Sequence, residues 1–106
     1  LKMQIKDPDV EIIKLYGKNA NSYIGPIREV LSAKKDLYIN TKSIFFYNNI
    51  GWQINLRDNN CILIPLKKLD KVFDIFQNIK NSSLYSKFNF FDLRIMGRVY
   101  MSKKEC

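Results

Sequence analysis

The run Ser43-Ile44-Phe45-Phe46-Tyr47-Asn48-Asn49-Ile50-Gly51-Trp52-Gln53-Ile54-Asn55-Leu56-Arg57-Asp58-Asn59-Asn60-Cys61-Ile62-Leu63-Ile64 decides the fold. Ile44, Phe45, Phe46 and Tyr47 favour an extended chain, and they stop at Asn48-Asn49-Ile50-Gly51, a turn composition. Trp52, Ile54 and Leu56 then alternate with Gln53, Asn55 and Arg57, the period of a strand with one face buried and one wet. Asp58-Asn59-Asn60 supplies residues that tolerate the positive φ of a tight hairpin. Cys61 to Ile64 returns as the next strand and Pro65 ends it. Three sequential strands joined by short turns make a meander.

Downstream, Leu66, Leu69, Val72, Phe73, Phe76 and Ile79 form one apolar stripe at helical spacing, with Lys67, Lys68, Lys71, Asp74 and Gln77 opposite. Asn81-Ser82-Ser83 ends that helix. Phe88 to Ile95 reads as a strand, Met96-Gly97 as a turn and Arg98 to Ser102 as the last strand. Upstream, Ile12 to Leu15 reads as a strand entering a turn at Tyr16-Gly17. Ala20, Tyr23, Ile24, Ile27, Val30 and Leu31 form a second helical stripe, with Asn19 or Asn21 as its cap. Gly25-Pro26 opposes an unbroken helix, so either the helix begins near Ser22 or it is kinked at the proline. Lys34-Lys35 suit its C-terminal end. The order is β-α-βββ-α-ββ. It implies an α+β domain, a mixed or antiparallel β-sheet with two helices packed on one face.

The chain has 106 residues, the length of one domain, and 46% hydrophobic against 26% charged residues, which excludes a disordered tail. No apolar run reaches the roughly 18 residues of a membrane span, so a soluble piece is expected. Leu1 is not preceded by an initiator Met and begins no signal-peptide pattern, so the expectation is a segment excised from a longer protein. The formal net charge of +8 raises nucleic acid as a partner. The basic residues are mostly Lys rather than Arg and come in pairs at most: Lys34-Lys35, Lys67-Lys68 and Lys103-Lys104. A solvated basic surface is the plainer reading, and a basic nucleic-acid-binding module is the alternative function.

Chemistry-bearing motifs are lacking. The chain has no histidine, no phosphate-binding glycine loop and no nucleophile elbow, and its acidic residues are scattered singly. No catalytic residue, cofactor or metal is expected. Cys61 and Cys106 could pair in an oxidising compartment; the reading adopted is a small buried hydrophobe at Cys61 and a frayed terminus at Cys106.

Four blocks then coincide in order and spacing with one known family. They are Leu15-Tyr16-Gly17 followed by a helix with Ala20; Trp52-Gln53-Ile54-Asn55-Leu56 followed by Asp58-Asn59-Asn60; the helix from Leu66 to Ile79; and Phe91-Asp92-Leu93-Arg94 with Arg98-Val99-Tyr100 after a short turn. Over about residues 12 to 103 the chain resembles the C-terminal β domain of the bacterial cell-division family FtsQ/DivIB. The last block is similar to that family's "DLR" strand and terminal strand. Where some relatives carry a basic residue before the strand tryptophan, this chain has Asn49-Ile50-Gly51, and Ile95 stands where they have an aromatic.

The resemblance implies a bitopic inner-membrane protein at the division septum: a cytoplasmic tail, one transmembrane helix and a POTRA domain, with the present residues as its periplasmic β domain. It implies no catalysis, no nucleic acid, and membrane contact only through the missing helix. The family is a divisome scaffold that holds FtsB and FtsL, and its FtsB segment joins the sheet as a strand beside the last one. Transferred here, the partner-binding residues are Arg94, Ile95, Arg98, Val99, Tyr100, Met101 and Ser102. Alternation places Val99 and Met101 toward the core and Arg98, Tyr100 and Ser102 on the other face. Arg94 either meets an acidic partner side chain or is a surface strand arginine bridging to Asp92 or a neighbouring acid.

Overall fold

A computed structural model describes residues 2–7, 10–47, 50–95 and 97–106. Among them, seven strands form one sheet in sequential order: β1 (Lys2–Asp7), β2 (Val10–Tyr16), β3 (Thr41–Tyr47), β4 (Gly51–Leu56), β5 (Cys61–Ile64), β6 (Phe90–Asp92) and β7 (Tyr100–Ser102). β2 with β3 and β5 with β6 pair parallel, and the other neighbours pair antiparallel. Each parallel pair is bridged by helices, as a crossover requires. Between β2 and β3 run α1 (Ala20–Tyr23), α2 (Gly25–Ala33) and α3 (Lys35–Asn40); between β5 and β6 run α4 (Leu69–Lys80) and α5 (Leu84–Lys87). The fold is α+β with a mixed sheet.

The meander forms as its alternation dictates. Ile44 pairs with Ile54, Ile54 with Ile62 and Ile62 with Phe91, so one row of buried side chains crosses four strands. A second row runs through Phe46, Trp52 and Ile64. Both rows pack with Ile27, Val30 and Leu31 of α2 and with Val72, Phe73 and Phe76 of α4 in one core. The helices therefore cover this face. The opposite face carries Ser43, Phe45, Gln53, Asn55 and Leu63. Its polar members bond to one another, Gln53 Nε2 to Asn55 Oδ1 at 2.8 Å and Asn55 Nδ2 to Ser43 Oγ at 3.2 Å.

Two close approaches fix the turns. A side chain at Gly17 (φ 112°) would overlap the Phe46 carbonyl oxygen, and one at Gly51 (φ 143°) would overlap that of Ile64. Only glycine tolerates both the angle and the contact. Asn59 takes a positive φ of 71° in the Asp58-Asn59-Asn60 hairpin, as its composition predicts. The Asn48-Asn49 and Met96 parts of the other two turns lie outside the described residues.

Several expectations are corrected. A strand, β1, precedes the one expected first. The first helical stripe is split: α1 ends at Tyr23, and α2 restarts with Pro26 in its first turn, where a missing N–H costs nothing. Asn19 occupies the N-cap of α1 but in a left-handed conformation, with no side-chain cap bond. Lys34 closes α2, yet the chain resumes at once as α3, burying Leu37; Lys35 is therefore a helix start and not an end. Lys34 Nζ also meets Asp74 Oδ1 of α4 at 3.0 Å, an exposed pair that contributes at most about 1 kcal/mol. The last two strands are shorter than expected, because pairing is confined to Phe90–Ser102, Phe91–Met101 and Asp92–Tyr100.

Candidate functional site

The carboxy-terminal edge is built outward from the sheet centre. Leu93 N donates to the Leu63 carbonyl at 2.8 Å and Cys61 N to that of Asn89 at 2.9 Å, so β6 is tied to β5 beyond its own ends. Phe91 is fully buried between Phe76, in edge contact at 6.1 Å, and Tyr85, stacked at 5.6 Å. β7 lies outside β6 and is last in the strand order. Among the described residues no strand pairs with its outer flank. An unpaired flank is a template for a further strand.

Of the seven residues expected to meet a partner, only Tyr100, Met101 and Ser102 lie in β7. Arg94 and Ile95 follow β6, and Arg98 and Val99 precede β7 without joining a ladder, which corrects the strand limits read from alternation. Their facing is as alternation indicates in part: Val99 and Met101 pack against the core, while Tyr100 is 51% exposed. Arg98 Nη1 reaches the Tyr100 hydroxyl at 3.3 Å. Ile95 is 56% exposed.

Arg94 grips Asp92. Its Nη2 lies 2.8 Å from Asp92 Oδ2 and its Nε 3.0 Å from Oδ1, while its backbone N–H donates to Oδ1 at 3.1 Å. Of the two roles open to Arg94, this geometry is the internal bridge. Partial burial pushes the Asp92 carboxyl upward, but the Arg94 donors outweigh it and hold the group below its ordinary value.

The tail after β7 is the main departure from expectation. Cys106 does not fray: it is disulfide-bonded to Cys61, across a Cα–Cα separation of 6.0 Å. Residues 103–106 fold back over the face of the sheet that lacks helices. Asn89 Nδ2 donates to the Lys104 carbonyl at 2.6 Å, and the Lys104 ammonium sits 4.1 Å from the centre of the Phe90 ring. Beside the tail lies a groove of about 400 Å³ whose walls include Tyr47, Gln53, Leu63, Phe90, Arg94 and Lys104. Sequence reasoning did not single out Asn89 or Phe90, and it weighed the cysteine pair only to set it aside. The signal for the pair was phase: Cys61 alternates with core-facing Ile62 and Ile64, so its burial demanded a cover on the other side.

The arrangement offers hydrogen-bonding backbone, an aromatic and several cations, the means of binding a chain segment. Among the described residues no cluster of three or more His, Cys, Asp or Glu could hold a metal, and no helix is long and apolar enough to cross a membrane. Compared with known proteins, the chain matches no family model and no curated sequence.

Proposed function

We propose that this domain is a non-enzymatic protein-docking scaffold of the FtsQ/DivIB kind, which takes an FtsB-type segment as an added strand on β7. It serves a divisome at the septum, in the periplasm, with FtsL held alongside FtsB and the membrane reached through a helix upstream in the parent protein. The observation that carries this reading is the outer flank of β7, beside which no strand pairs among the described residues, while every interior strand is paired on both sides. The Cys61–Cys106 disulfide adds support, since such bridges persist in oxidising compartments.

Magnitudes restrict the binding mode. A ladder hydrogen bond contributes about 0.5–1.5 kcal/mol net, whereas micromolar affinity corresponds to about 8 kcal/mol, so a three-residue strand cannot hold a partner by backbone alone. Side chains must contribute. Tyr100 and Ile95 supply apolar area, and Arg98, Lys103 and Lys104 supply positive charge that steers and registers an acidic segment.

The test is titration of a peptide from the carboxy-terminal part of an FtsB-type protein against the labelled chain. Amide shifts should concentrate at residues 100–102. Tyr100→Glu should weaken binding by about tenfold or more with an unchanged circular dichroism spectrum. Equal affinity in that variant, or shifts confined to the β1 edge, would overturn the assignment. Binding of DNA that falls steeply with salt, without peptide binding, would instead favour the basic nucleic-acid module.

A further inference from the structure

Cys61 sits on the interior strand β5, on the face without helices, and is fully buried, whereas Cys106 is exposed. The disulfide that ties the edge of the sheet to its interior therefore lies just four residues beyond Ser102, at the end of β7. Among the described residues, what else holds residues 103–106 is slight: the Asn89 side chain on the Lys104 carbonyl, the Lys104 ammonium over Phe90, a long contact of 3.5 Å from Lys104 N to Ser102 Oγ, and Cys106 Sγ at 3.7 Å from the Asn59 carbonyl oxygen. β7 itself has three residue pairs to β6, supplemented by the Asn89 N–H on the Ser102 carbonyl at 3.1 Å. An edge so short is marginal alone, and the tail beyond it is fastened at its far end.

We propose that the Cys61–Cys106 bridge is a thiol-reversible clasp that keeps β7 ordered as a docking edge. Reduction releases residues 103–106, uncovers the Cys61–Phe90 part of the sheet and lets β7 fray from β6. Regulation of docking rests on the strand-addition reading above; the clasp rests only on the placement of the two cysteines. The reductant is a dithiol, small or protein-borne. One of its thiolates attacks the exposed Cys106 sulfur, the bond between the cysteines breaks, and Cys61 leaves as a thiolate that takes up a proton. The second thiol then displaces Cys106, which leaves as a thiol. Two electrons pass to the protein, and the dithiol ends as its own disulfide.

Release should be local. β6 remains held to β5 through Leu93 and Asn89, and the core behind it is made by the buried rows of β3 to β5 and their helices. Frayed β7 then exchanges its amide protons quickly while the meander keeps its protection.

Hydrogen exchange on the whole chain tests this, oxidised and after dithiothreitol, with Cys106→Ser as a second route to the open form. Exchange of the Asn89 and β7 amides should accelerate about tenfold or more on reduction, with Leu93 and the β3–β5 amides unchanged. Unchanged exchange at Asn89 and β7, acceleration everywhere, or a bridge that dithiothreitol cuts only after unfolding would each overturn the clasp and leave a static staple. The FtsB-type peptide supplies the second reading. About tenfold weaker binding to the reduced chain is expected, and equal binding to both forms overturns the coupling. A peptide that binds neither form sinks strand addition, and the exchange result then decides the clasp by itself.

Discussion

Arg94 and Asp92, two residues apart at the end of β6, are joined by three hydrogen bonds of 2.8 to 3.1 Å, so an arginine expected at the partner edge also bridges within its own chain. The charge on Asp92 is favoured by that grip, and its folded pKa lies below the ordinary 3.8. A depressed carboxyl contributes stability that is fully present above its unfolded value and disappears as pH falls through the folded one. The Asp92–Arg94 contribution should thus persist at neutral pH and fade only below about pH 4. Arg94→Ala should move the Asp92 carboxyl titration, followed by carbon NMR, upward. An unmoved titration would mean that other groups hold the charge.

Tyr85 shows the opposite shift. Burial, and then the Asp58 carboxylate that accepts its hydroxyl proton at 2.5 Å, push the phenol well above its ordinary 10.0. The neutral phenol is the form the fold favours, so its contribution is whole below pH 10.0 and is lost as pH rises toward the folded value. An alkaline absorbance titration should show a late component that Tyr85→Phe removes. The same variant unties α5 from the β4–β5 hairpin, at a cost of about 1 kcal/mol in urea unfolding.

Phe91 is the core anchor of β6. It is fully buried and lies between the rings of Phe76 and Tyr85, with Ile62 opposite in the neighbouring strand. Phe91→Ala removes that packing and leaves a cavity, which should cost about 3–5 kcal/mol in chemical denaturation. Phe91→Leu should cost clearly less. A small loss for alanine would mean that the site collapses around the missing ring.

The meander was legible because strand-favouring runs, the alternation from Trp52 to Arg57 and the turn residues agreed, and α4 because Leu69, Val72, Phe73, Phe76 and Ile79 are all buried at helical spacing, although Leu66, counted in that stripe, precedes the helix and is exposed. Elements with one weak signal were not. Lys2–Asp7 alternates, but only Met3 and Ile5 supply apolar residues, too few to distinguish a strand from loop. In α3 only Leu37 is buried, so a basic pair at Lys34-Lys35 looked like a final stop. β6 and β7 were drawn too long because alternation continues past Asp92, whereas the pairing between these two strands ends there. The clasp was hidden for a different reason. Pairing of Cys61 with Cys106 depends on where the tail returns, a tertiary fact that no local pattern carries, although the strand phase of Cys61 already required something to cover it.

Neighbouring residues on β7 should respond unequally to the same change. Met101 pairs with Phe91 and packs against the core, so Met101→Glu places a carboxylate among apolar groups. Tyr100 pairs with Asp92 and is half exposed on the opposite face. Met101→Glu should therefore lower the melting temperature by several degrees, as about 1–2 kcal/mol does in a domain of this size, while Tyr100→Glu leaves it nearly unchanged. The charge beside Asp92 in the second variant is shared with water and with the Arg98 guanidinium, which already reaches the Tyr100 hydroxyl. Thermal scans of the two proteins check the facing of the edge without any partner present. Equal destabilisation by both would mean that β7 is turned or frayed, and that its outer side chains are not arranged to receive a strand.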